Sequence, residues 1–328
     1  MAGTALLRMI NSQADALERM AELDLAGPAA VLAQASRVII VGTGTSLHAA
    51  ELGAMMLTKA GRNAYAYPAV TWARWGPGPR DGDALLVITH TAETAYAVRA
   101  RADALAAGVP VVSITGTGRG WPEAIETVAH DESHTYTVSY TSALAVLARL
   151  AHELGSPDGS TEQLARVAEQ VRQVCANPGT EAVAVPARSL AIVGCGPWGI
   201  TAREGALKIR EGARMLAEGF DTDRLLHGGA VPYTAADGLV VLEPRADPDG
   251  VTGAVGDAAR QEGIPVAVLE APADGGSLPP LLAQIPMTVR LQLLAETFAG
   301  LRHQNPDAAI VGAWDAPALW SMGSPAAP

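Results

Sequence analysis

Short apolar runs alternate with amphipathic segments along most of the 328-residue chain. Three of these runs have the mostly apolar sequence that is typical of strands buried on both faces. They are VIIVGTG (Val38 to Gly44), ALLVIT (Ala84 to Thr89) and PVVSIT (Pro110 to Thr115). The segments between them carry apolar residues at helical spacing. This alternation predicts an α/β fold, in which helices cover both faces of a parallel sheet. A further short strand is expected near Thr135 to Val138.

The chain also repeats itself. The run LAIVGCG (Leu190 to Gly196) matches VIIVGTG (Val38 to Gly44) at an offset of 152 residues, and each run leads into a helix. Two copies of one α/β unit explain this match. We therefore expect two tandem doubly wound parallel-sheet domains.

The domain limits follow from where the pattern changes. Residues 1–24 are expected to form an N-terminal packing helix, and residues 25–155 the first domain. The polar segment 156–180 is expected to be a linker helix, and residues 181–328 the second domain.

Composition excludes several classes of protein. Apolar residues make up 49% of the chain and charged residues 17%, which indicates a globular core. The net charge is −11 and no cluster of Lys and Arg occurs, so nucleic acid is not an expected partner. No apolar run is long enough for a membrane span, and the N-terminus lacks the apolar core of a signal peptide. Cys175 and Cys195 form no CxxC pair, so we expect a cytoplasmic protein.

The first candidate binding site is the turn GTGTS. A strand, a tight glycine turn and a helix N-terminus together form an anion site, because free N–H groups and the helix dipole point at the ligand. Gly44, Thr45 and Ser46 are the candidate binding residues. The alternative is a tight turn without a ligand. The G-x-G-x-x-G pattern is not completed, which argues against NAD.

The second candidate is the turn THTAETA, directly after the apolar run ALLVI. Thr89, Thr91 and Thr94 can donate hydrogen bonds to phosphate oxygens, and His90 lies between them. The alternative is that Thr91 caps a helix. Two such turns at the carboxyl ends of parallel strands favour a ligand site. The matching segment of the second half, VVLEPRADP, has no hydroxyl cluster, so one phosphate site per chain is expected.

The candidate catalytic residues lie in the second half. Glu204, Lys208 and Glu211 follow helical spacing i, i+4, i+7, and His227 stands in the later segment LLHGG. The alternative is an exposed Glu–Lys pair on a helix. A carboxylate and an imidazole are the groups that enolisation of a sugar needs, one for the carbon-bound proton and one for the sugar oxygen.

The segment REGALKIREGARMLAEGFDTDRLLHGG resembles the sugar isomerase (SIS) segment of glucosamine-6-phosphate synthases. GTGTS and THTAET resemble that family's phosphate-binding turns, and VRLQLLAETFAGLRHQNPD resembles its terminal helix. The resemblance implies two flavodoxin-like SIS domains without a glutaminase domain. It implies that Glu211 moves the proton and that His227, from a neighbouring subunit, opens the sugar ring. Glu204 and Lys208 match further active-site positions. Four hydroxyl residues match sugar-phosphate contacts, namely Ser46, Thr89, Thr91 and Thr94.

The resemblance implies an enzyme for a sugar phosphate or amino sugar that moves a proton between C1 and C2. The reaction would be aldose–ketose isomerisation or the C–N cleavage of a deglycase, without metal or organic cofactor, in a homodimer or higher oligomer with a shared site. Two alternatives remain open, a non-catalytic sugar-phosphate regulator and an isomerase of a non-phosphorylated sugar.

Three departures from the family pattern bear on the substrate. The C-terminal segment NPDAAIVGAWDAPALWSMGSPAAP lacks the lysine that forms a Schiff base in the synthase. Ala92 stands where the phosphate loop usually has glycine, and His90 is bulky.

The segment HDESH (His130 to His134) imitates a zinc motif, but that motif needs a helix, so no metal site is expected.

Overall fold

The computed structural model describes residues 3–271 and 278–325. The strands are β1 (Arg37–Gly42), β2 (Ala64–Pro68), β3 (Asp83–Ile88), β4 (Val111–Thr115), β5 (Ala124–Glu126), β6 (Ser189–Gly194), β7 (Leu216–Asp221), β8 (Gly238–Leu242) and β9 (Val266–Leu269). The helices are α1 (Ala5–Asn11), α2 (Gln13–Ala21), α3 (Ala26–Gln34), α4 (Thr45–Lys59), α5 (Ala69–Trp75), α6 (Ala95–Ala106), α7 (Val138–Glu153), α8 (Thr161–Ala176), α9 (Pro197–Ala213), α10 (Thr222–Arg224), α11 (Val251–Gln261), α12 (Gln284–Leu301) and α13 (Pro317–Trp320).

The strands form two parallel sheets with the same winding. The first sheet has the order β2-β1-β3-β4-β5, and the second has the order β7-β6-β8-β9. In each sheet, the strand that comes first in sequence lies between the second and the third strands of that sheet. The later strands are then added in order beyond the third. The expected α/β fold of two tandem, doubly wound, flavodoxin-like domains is confirmed. The shared strand order is what a duplicated α/β unit requires.

The described residues divide into two compact units. The first unit takes its residues from Ser12–Asp131, Val138–Ala168 and Ile310–Pro328. The second unit takes its residues from Met1–Asn11, Glu132–Thr137 and Glu169–Ala309. The domain limits drawn from the sequence, at 1–24, 25–155, 156–180 and 181–328, stay a prediction.

Each unit packs apolar residues of its sheet against a covering helix. Where that helix carries small side chains, as in the first unit, it can approach the sheet closely. In the first unit the core combines Ile39, Val41, Leu85 and Val87 of the sheet with Ala97, Ala100 and Ala104 of α6. In the second unit it combines Ala191, Val193, Leu239 and Val241 of the sheet with Val255 of α11.

One helix contact occurs in both units at corresponding places. Gly53 of α4 faces Leu147 of α7 so closely that an added Cβ would lie 2.8 Å from a leucine methyl carbon. Gly205 of α9 faces Leu291 of α12 in the same way, and an added Cβ would lie 2.5 Å from a methyl carbon. The two glycines are separated by the same 152 residues as the two G-x-G turns. Packing therefore preserves the repeat that the strand sequences indicate.

Each sheet also has an arginine–aspartate pair at the amino ends of its strands. Arg37 at the start of β1 donates from Nε and Nη2 to the two carboxylate oxygens of Asp83 at 2.8 and 2.7 Å. Arg188, just before β6, donates in the same manner to Asp237 at 2.8 and 2.5 Å. Each pair joins the first strand of its sheet to the third. Neither pair is predictable from local sequence, because the partners are 46 and 49 residues apart.

The predicted strand near Thr135 to Val138 is wrong. These residues are extended or bent without strand pairing, and α7 already begins at Val138. The hydroxyl groups of Ser133 and Thr135 donate to the carbonyl of Pro306 at 3.2 and 2.7 Å. The buried hydroxyl groups of Ser133 and Thr135 thus have a backbone acceptor within the second unit, although the segment belongs to no sheet.

The N-terminal segment contains two helices, α1 and α2, which are separated at Ser12. Asp307 accepts hydrogen bonds from the N–H groups of Ala5 and Leu6 at 2.9 and 2.8 Å, so a carboxylate satisfies the first turn of α1. Among the described residues, no helix has both the length and the apolar content that crossing a membrane requires.

Candidate active site

The turn between β1 and α4 has the geometry of an anion site. Gly44 has φ +57° and ψ −127°, a conformation that favours glycine, and α4 begins at the next residue. A Cβ on Gly42 would lie 2.3 Å from the carbonyl oxygen of Ser46, so the chain can turn this tightly only without a side chain there. Thr45 and Ser46 lie in the first turn of α4, where the helix dipole favours an anion.

The loop between β3 and α6 contains the predicted threonines. Thr89 is 2% exposed, and its hydroxyl donates to the hydroxyl of Thr94 at 3.2 Å. Thr91 accepts the N–H of Glu93 at 3.2 Å, and Glu93 precedes the first residue of α6. The Thr91 side chain therefore closes a turn inside the loop and is not the cap of α6.

The two loops leave the same edge of the first sheet. β1 and β3 are neighbours with Val41 opposite Val87, so the turn that holds Ser46 and the loop that holds Thr89 both begin at the carboxyl ends of adjacent parallel strands. Ligands of open α/β sheets bind at this edge. The structure thus brings the predicted phosphate-binding residues of both loops to one edge of one unit.

Ala92 has φ +57°, in the left-handed region. A side chain makes this conformation costly, by about 1–2 kcal/mol. A glycine, which the resemblance to the family implies at this position, would adopt this backbone conformation without that cost.

His90 does not supply positive charge to this edge. Burial, together with the nearby charges of His130 and Arg119, lowers the pKa of His90 to about 4. The ring centroids of His90 and His130 are 5.9 Å apart, and a Cβ on Gly116 would lie 2.7 Å from the His90 ring. His90 is therefore a neutral, packed imidazole at neutral pH. Arg119 was not among the predicted site residues, although it lies in the segment GTGRG directly after a predicted strand.

The second unit holds the predicted acid cluster on α9. The ammonium Nζ of Lys208 lies 2.7 Å from Oε2 of Glu211 and 3.5 Å from Oε1 of Glu204. Glu204 and Lys208 are 0% exposed, whereas the Glu211 side chain is 22% exposed. The alternative of a solvent-exposed Glu–Lys pair is therefore wrong.

Burial and charge act in opposite directions within this cluster. Burial alone would lower the pKa of Lys208, but the carboxylates of Glu211 and Glu204 raise it above its ordinary value, so Lys208 stays charged. Burial raises the pKa of Glu211, against the opposing effect of the Lys208 charge. Glu211 is thus a carboxylate with raised basicity and access to solvent, which are the properties of a general base.

His227 lies outside this cluster. It belongs to the kinked turn Leu225–Gly229, in which the backbone is not helical at His227 (φ −84°, ψ 50°) or at Gly228 (φ +103°). The His227 side chain is 80% exposed, and its Nε2 lies 3.3 Å from Oδ1 of Asp223. The structure therefore brings Glu204, Lys208 and Glu211 together but does not place His227 in contact with them.

The second G-x-G turn has negative surroundings. Gly196 has φ +58° and ψ −122°, almost the same conformation as Gly44. Burial raises the pKa of Cys195 in this turn, and nearby aspartates, first among them Asp247 and then Asp221, raise it further. Such an environment disfavours both a thiolate and a bound anion. One phosphate site per chain stays a prediction. Within 3–271 and 278–325, no group of three or more metal-ligating side chains is positioned to hold a metal ion.

Sheet order, winding and loop positions define a protein of two tandem flavodoxin-like α/β domains. Residues 31–152 match the family model of the SIS domain. The chain therefore contains a domain of the SIS family over these residues.

Curated relatives and solved structures extend the match. The glutamine–fructose-6-phosphate aminotransferase (isomerizing) of Pyrococcus horikoshii is 31% identical over 312 residues, which cover 85% of this chain and 51% of the relative. The enzyme of the same name from Zymomonas mobilis is 31% identical over 236 residues, which cover 65% of this chain and 38% of the relative. The chain thus spans about half or less of the length of these relatives.

Two solved structures share the fold over nearly the whole chain. Tagatose-6-phosphate ketose/aldose isomerase from Escherichia coli aligns with TM-score 0.80 and 18% identity, covering 94% of this chain and 96% of that one. Glucosamine-6-phosphate deaminase from Thermotoga maritima aligns with TM-score 0.75 and 17% identity, covering 93% and 97%. At these identities the likeness concerns the fold alone.

Proposed function

We propose that the chain is a sugar-phosphate isomerase, in which Glu211 moves a proton between C1 and C2 of an open-chain sugar. The observation that carries this proposal is the cluster on α9. A fully buried lysine holds a carboxylate that burial makes more basic and that solvent can still reach. A protein that only binds sugar phosphates has no need for such a base, so the cluster favours an enzyme over a regulator.

The proposed reaction passes through an enediol. Glu211 takes the proton from the carbon next to the carbonyl, the electron pair forms the C1–C2 double bond, and the carbonyl oxygen takes a proton from solvent. In the second half, the hydroxyl group on the carbon that lost its proton gives up its own proton to solvent and becomes the new carbonyl, and Glu211 returns its proton to the former carbonyl carbon. Lys208 keeps its charge beside Glu211 throughout, and an opposite charge stabilises the ionised base. The Glu204 carboxylate holds Lys208 from the other side.

Substrate recognition is proposed for the first unit. Ser46, Thr89, Thr91 and Thr94 would donate hydroxyl hydrogen bonds to the phosphate, with Gly44 and Thr45 providing the turn at the start of α4. The names of the relatives and of the structural neighbours support a phosphorylated sugar, since they include fructose 6-phosphate, tagatose 6-phosphate and glucosamine 6-phosphate. No metal or organic cofactor takes part in the proposed steps.

We further propose that His227 opens the sugar ring in the site of a neighbouring copy of the chain. Two observations support a shared site in a homodimer or higher oligomer. The His227 side chain is largely exposed, and its partner is Asp223 of the same turn instead of the acid cluster. An exposed imidazole is free to enter a site formed by another copy.

The experiment that tests the base is proton exchange in D₂O, followed by NMR. Hexose 6-phosphates, fructosyl-amine phosphates and unphosphorylated hexoses serve as substrates for the native chain, Glu211→Gln and the control Glu262→Gln, whose carboxylate is exposed. Glu211→Gln keeps size and hydrogen bonding, so binding should change within a few-fold. Deuterium incorporation at C1 or C2 should fall by about a hundredfold or more, the usual scale for a lost general base. Glu262→Gln should match the native chain.

The outcomes separate the candidate functions. Conversion of hexose phosphates supports the isomerase, while release of an amine from fructosyl-amine phosphates identifies a deglycase. Binding without any turnover by the native chain identifies a regulator. Turnover of unphosphorylated sugars alone would show that the substrate carries no phosphate group. Normal exchange by Glu211→Gln would show that another group, such as Glu204, is the base.

A further inference from the structure

Arg119 lies in the loop that follows β4, next to the predicted phosphate loop. β3 and β4 are neighbours with Ile88 opposite Ile114. The N–H of Thr89 donates to the carbonyl of Ile114 at 3.1 Å, and the N–H of Gly116 donates to the carbonyl of His90 at 2.9 Å. Backbone hydrogen bonds therefore join the two loops where both strands end, so the Arg119 loop forms part of the same edge of the sheet.

The guanidinium of Arg119 has no acidic partner among the described residues. Its Nε is buried and makes no hydrogen bond to them, and none of their ion pairs includes this side chain. Arg101 of the same unit, by contrast, has an acidic partner, because it donates two hydrogen bonds to the carboxylate of Glu123 at 2.5 and 2.8 Å. In a chain with 34 acidic residues against 23 basic ones, an arginine left without a carboxylate is a candidate for binding an external anion.

The charge of Arg119 acts on the phosphate loop itself. It contributes to the low pKa of His90, after burial and the neighbouring His130. The loop threonines offer hydroxyl donors, but hydroxyl groups do not neutralise the charge of a phosphate. A guanidinium supplies both the charge and a planar pair of donors that fits phosphate oxygens.

We propose that Arg119 is a specificity-determining residue that binds the phosphate group of the substrate from the β4 side of the site. It would set the preference of the chain for phosphorylated over unphosphorylated sugars. The inference rests on the proposed function for the identity of the ligand as a sugar phosphate.

The experiment measures binding and turnover in parallel. Inorganic phosphate, fructose 6-phosphate and fructose are titrated by calorimetry into the native chain, Arg119→Gln, Arg119→Lys and Arg99→Gln. Arg99 is the matched control, because it belongs to the same unit and has its own partner, Asp103, at 3.7 Å. Circular dichroism and thermal melting establish that all variants are folded.

Arg119→Gln should weaken binding of both phosphate-bearing probes by about tenfold or more, the loss of one charged contact. Arg119→Lys should weaken it less, because the charge remains while the paired donors are lost. Arg99→Gln should bind within twofold of the native chain. In turnover, Arg119→Gln should raise KM and leave kcat nearly unchanged, since the phosphate contact is made equally in the ground and transition states.

Unchanged binding of both probes by Arg119→Gln, or no binding of either probe by the native chain, would overturn the inference. Failure of the proposed function looks different. Phosphate binding that depends on Arg119 without conversion of any sugar phosphate would refute the isomerase and support the role of Arg119. Conversion of a sugar phosphate with an unchanged KM in Arg119→Gln would refute the role of Arg119 and leave the proposed isomerase function intact.

Discussion

Replacing Lys208 by methionine removes the positive charge that two carboxylates of α9 share. Methionine has a similar length and an apolar stem, so the change creates little empty space. It leaves Glu204, which is 0% exposed, without the cation that lies 3.5 Å from it. Breaking a buried ion pair by removing one partner costs about 3–5 kcal/mol, because the remaining charge stays in a medium that solvates it poorly. Glu211 adds little to this cost, since its side chain is 22% exposed.

The chain offers a matched control, because it contains two lysines, Lys59 and Lys208. Lys59 pairs with Asp158 at 2.5 Å, but its side chain is 42% exposed. Lys59→Met should therefore cost no more than about 1 kcal/mol, as is usual for exposed ion pairs. The two substitutions are chemically identical and differ in burial.

The assay is urea unfolding at pH 7 and 25 °C, followed by circular dichroism. The free energy of unfolding should fall by about 3–5 kcal/mol in Lys208→Met. The double variant Glu204→Gln, Lys208→Met removes both buried charges and should recover at least about 1.5 kcal/mol of that loss, which is a coupling energy within the usual range for contacting residues. Equal effects of Lys208→Met and Lys59→Met, or no recovery in the double variant, would refute the description of α9 as carrying a buried, mutually dependent cluster.

Three further predictions concern the loop, the amino end of the second sheet and the assembly. Ala92→Gly should stabilise the fold by up to about 1 kcal/mol in the same assay, because it relieves a left-handed alanine, whereas Ala107→Gly, at φ −83°, should destabilise it. Hydrogen bonds from Arg188 lower the pKa of Asp237, so the stability this carboxylate contributes is present above its unfolded pKa of about 3.9 and is lost as pH falls below that value. Asp237→Asn should melt at a lower temperature at pH 7, and the difference should shrink towards pH 3; a constant difference would contradict this. Mixing Glu211→Gln chains with His227→Ala chains should restore part of the activity if copies share a site, and absence of rescue from folded, mixed chains would indicate a self-contained site.

Several features of this protein are determined by local sequence. Apolar runs of strand length between amphipathic segments gave the parallel α/β fold, because burial on both faces requires continuous apolar residues. The two G-x-G turns marked the duplication, since their glycines adopt backbone conformations that side chains hinder. The helical spacing of Glu204, Lys208 and Glu211 placed them on one face of α9, and the structure has them in contact.

Other features depend on residues that are far apart in the chain, and only the tertiary structure decided them. Spacing alone could not distinguish an exposed Glu–Lys pair from a buried one, because burial of Lys208 depends on how other elements pack around α9. A strand was expected near Thr135, but this segment pairs with no strand, and the Thr135 hydroxyl donates to the carbonyl of Pro306. The position of Arg119 beside the predicted phosphate loop depends on the backbone hydrogen bonds that join the two loops, which the sequence does not show. Hydrogen-bond partners and burial are set by packing between distant segments, whereas periodicity records only which face of an element turns inward.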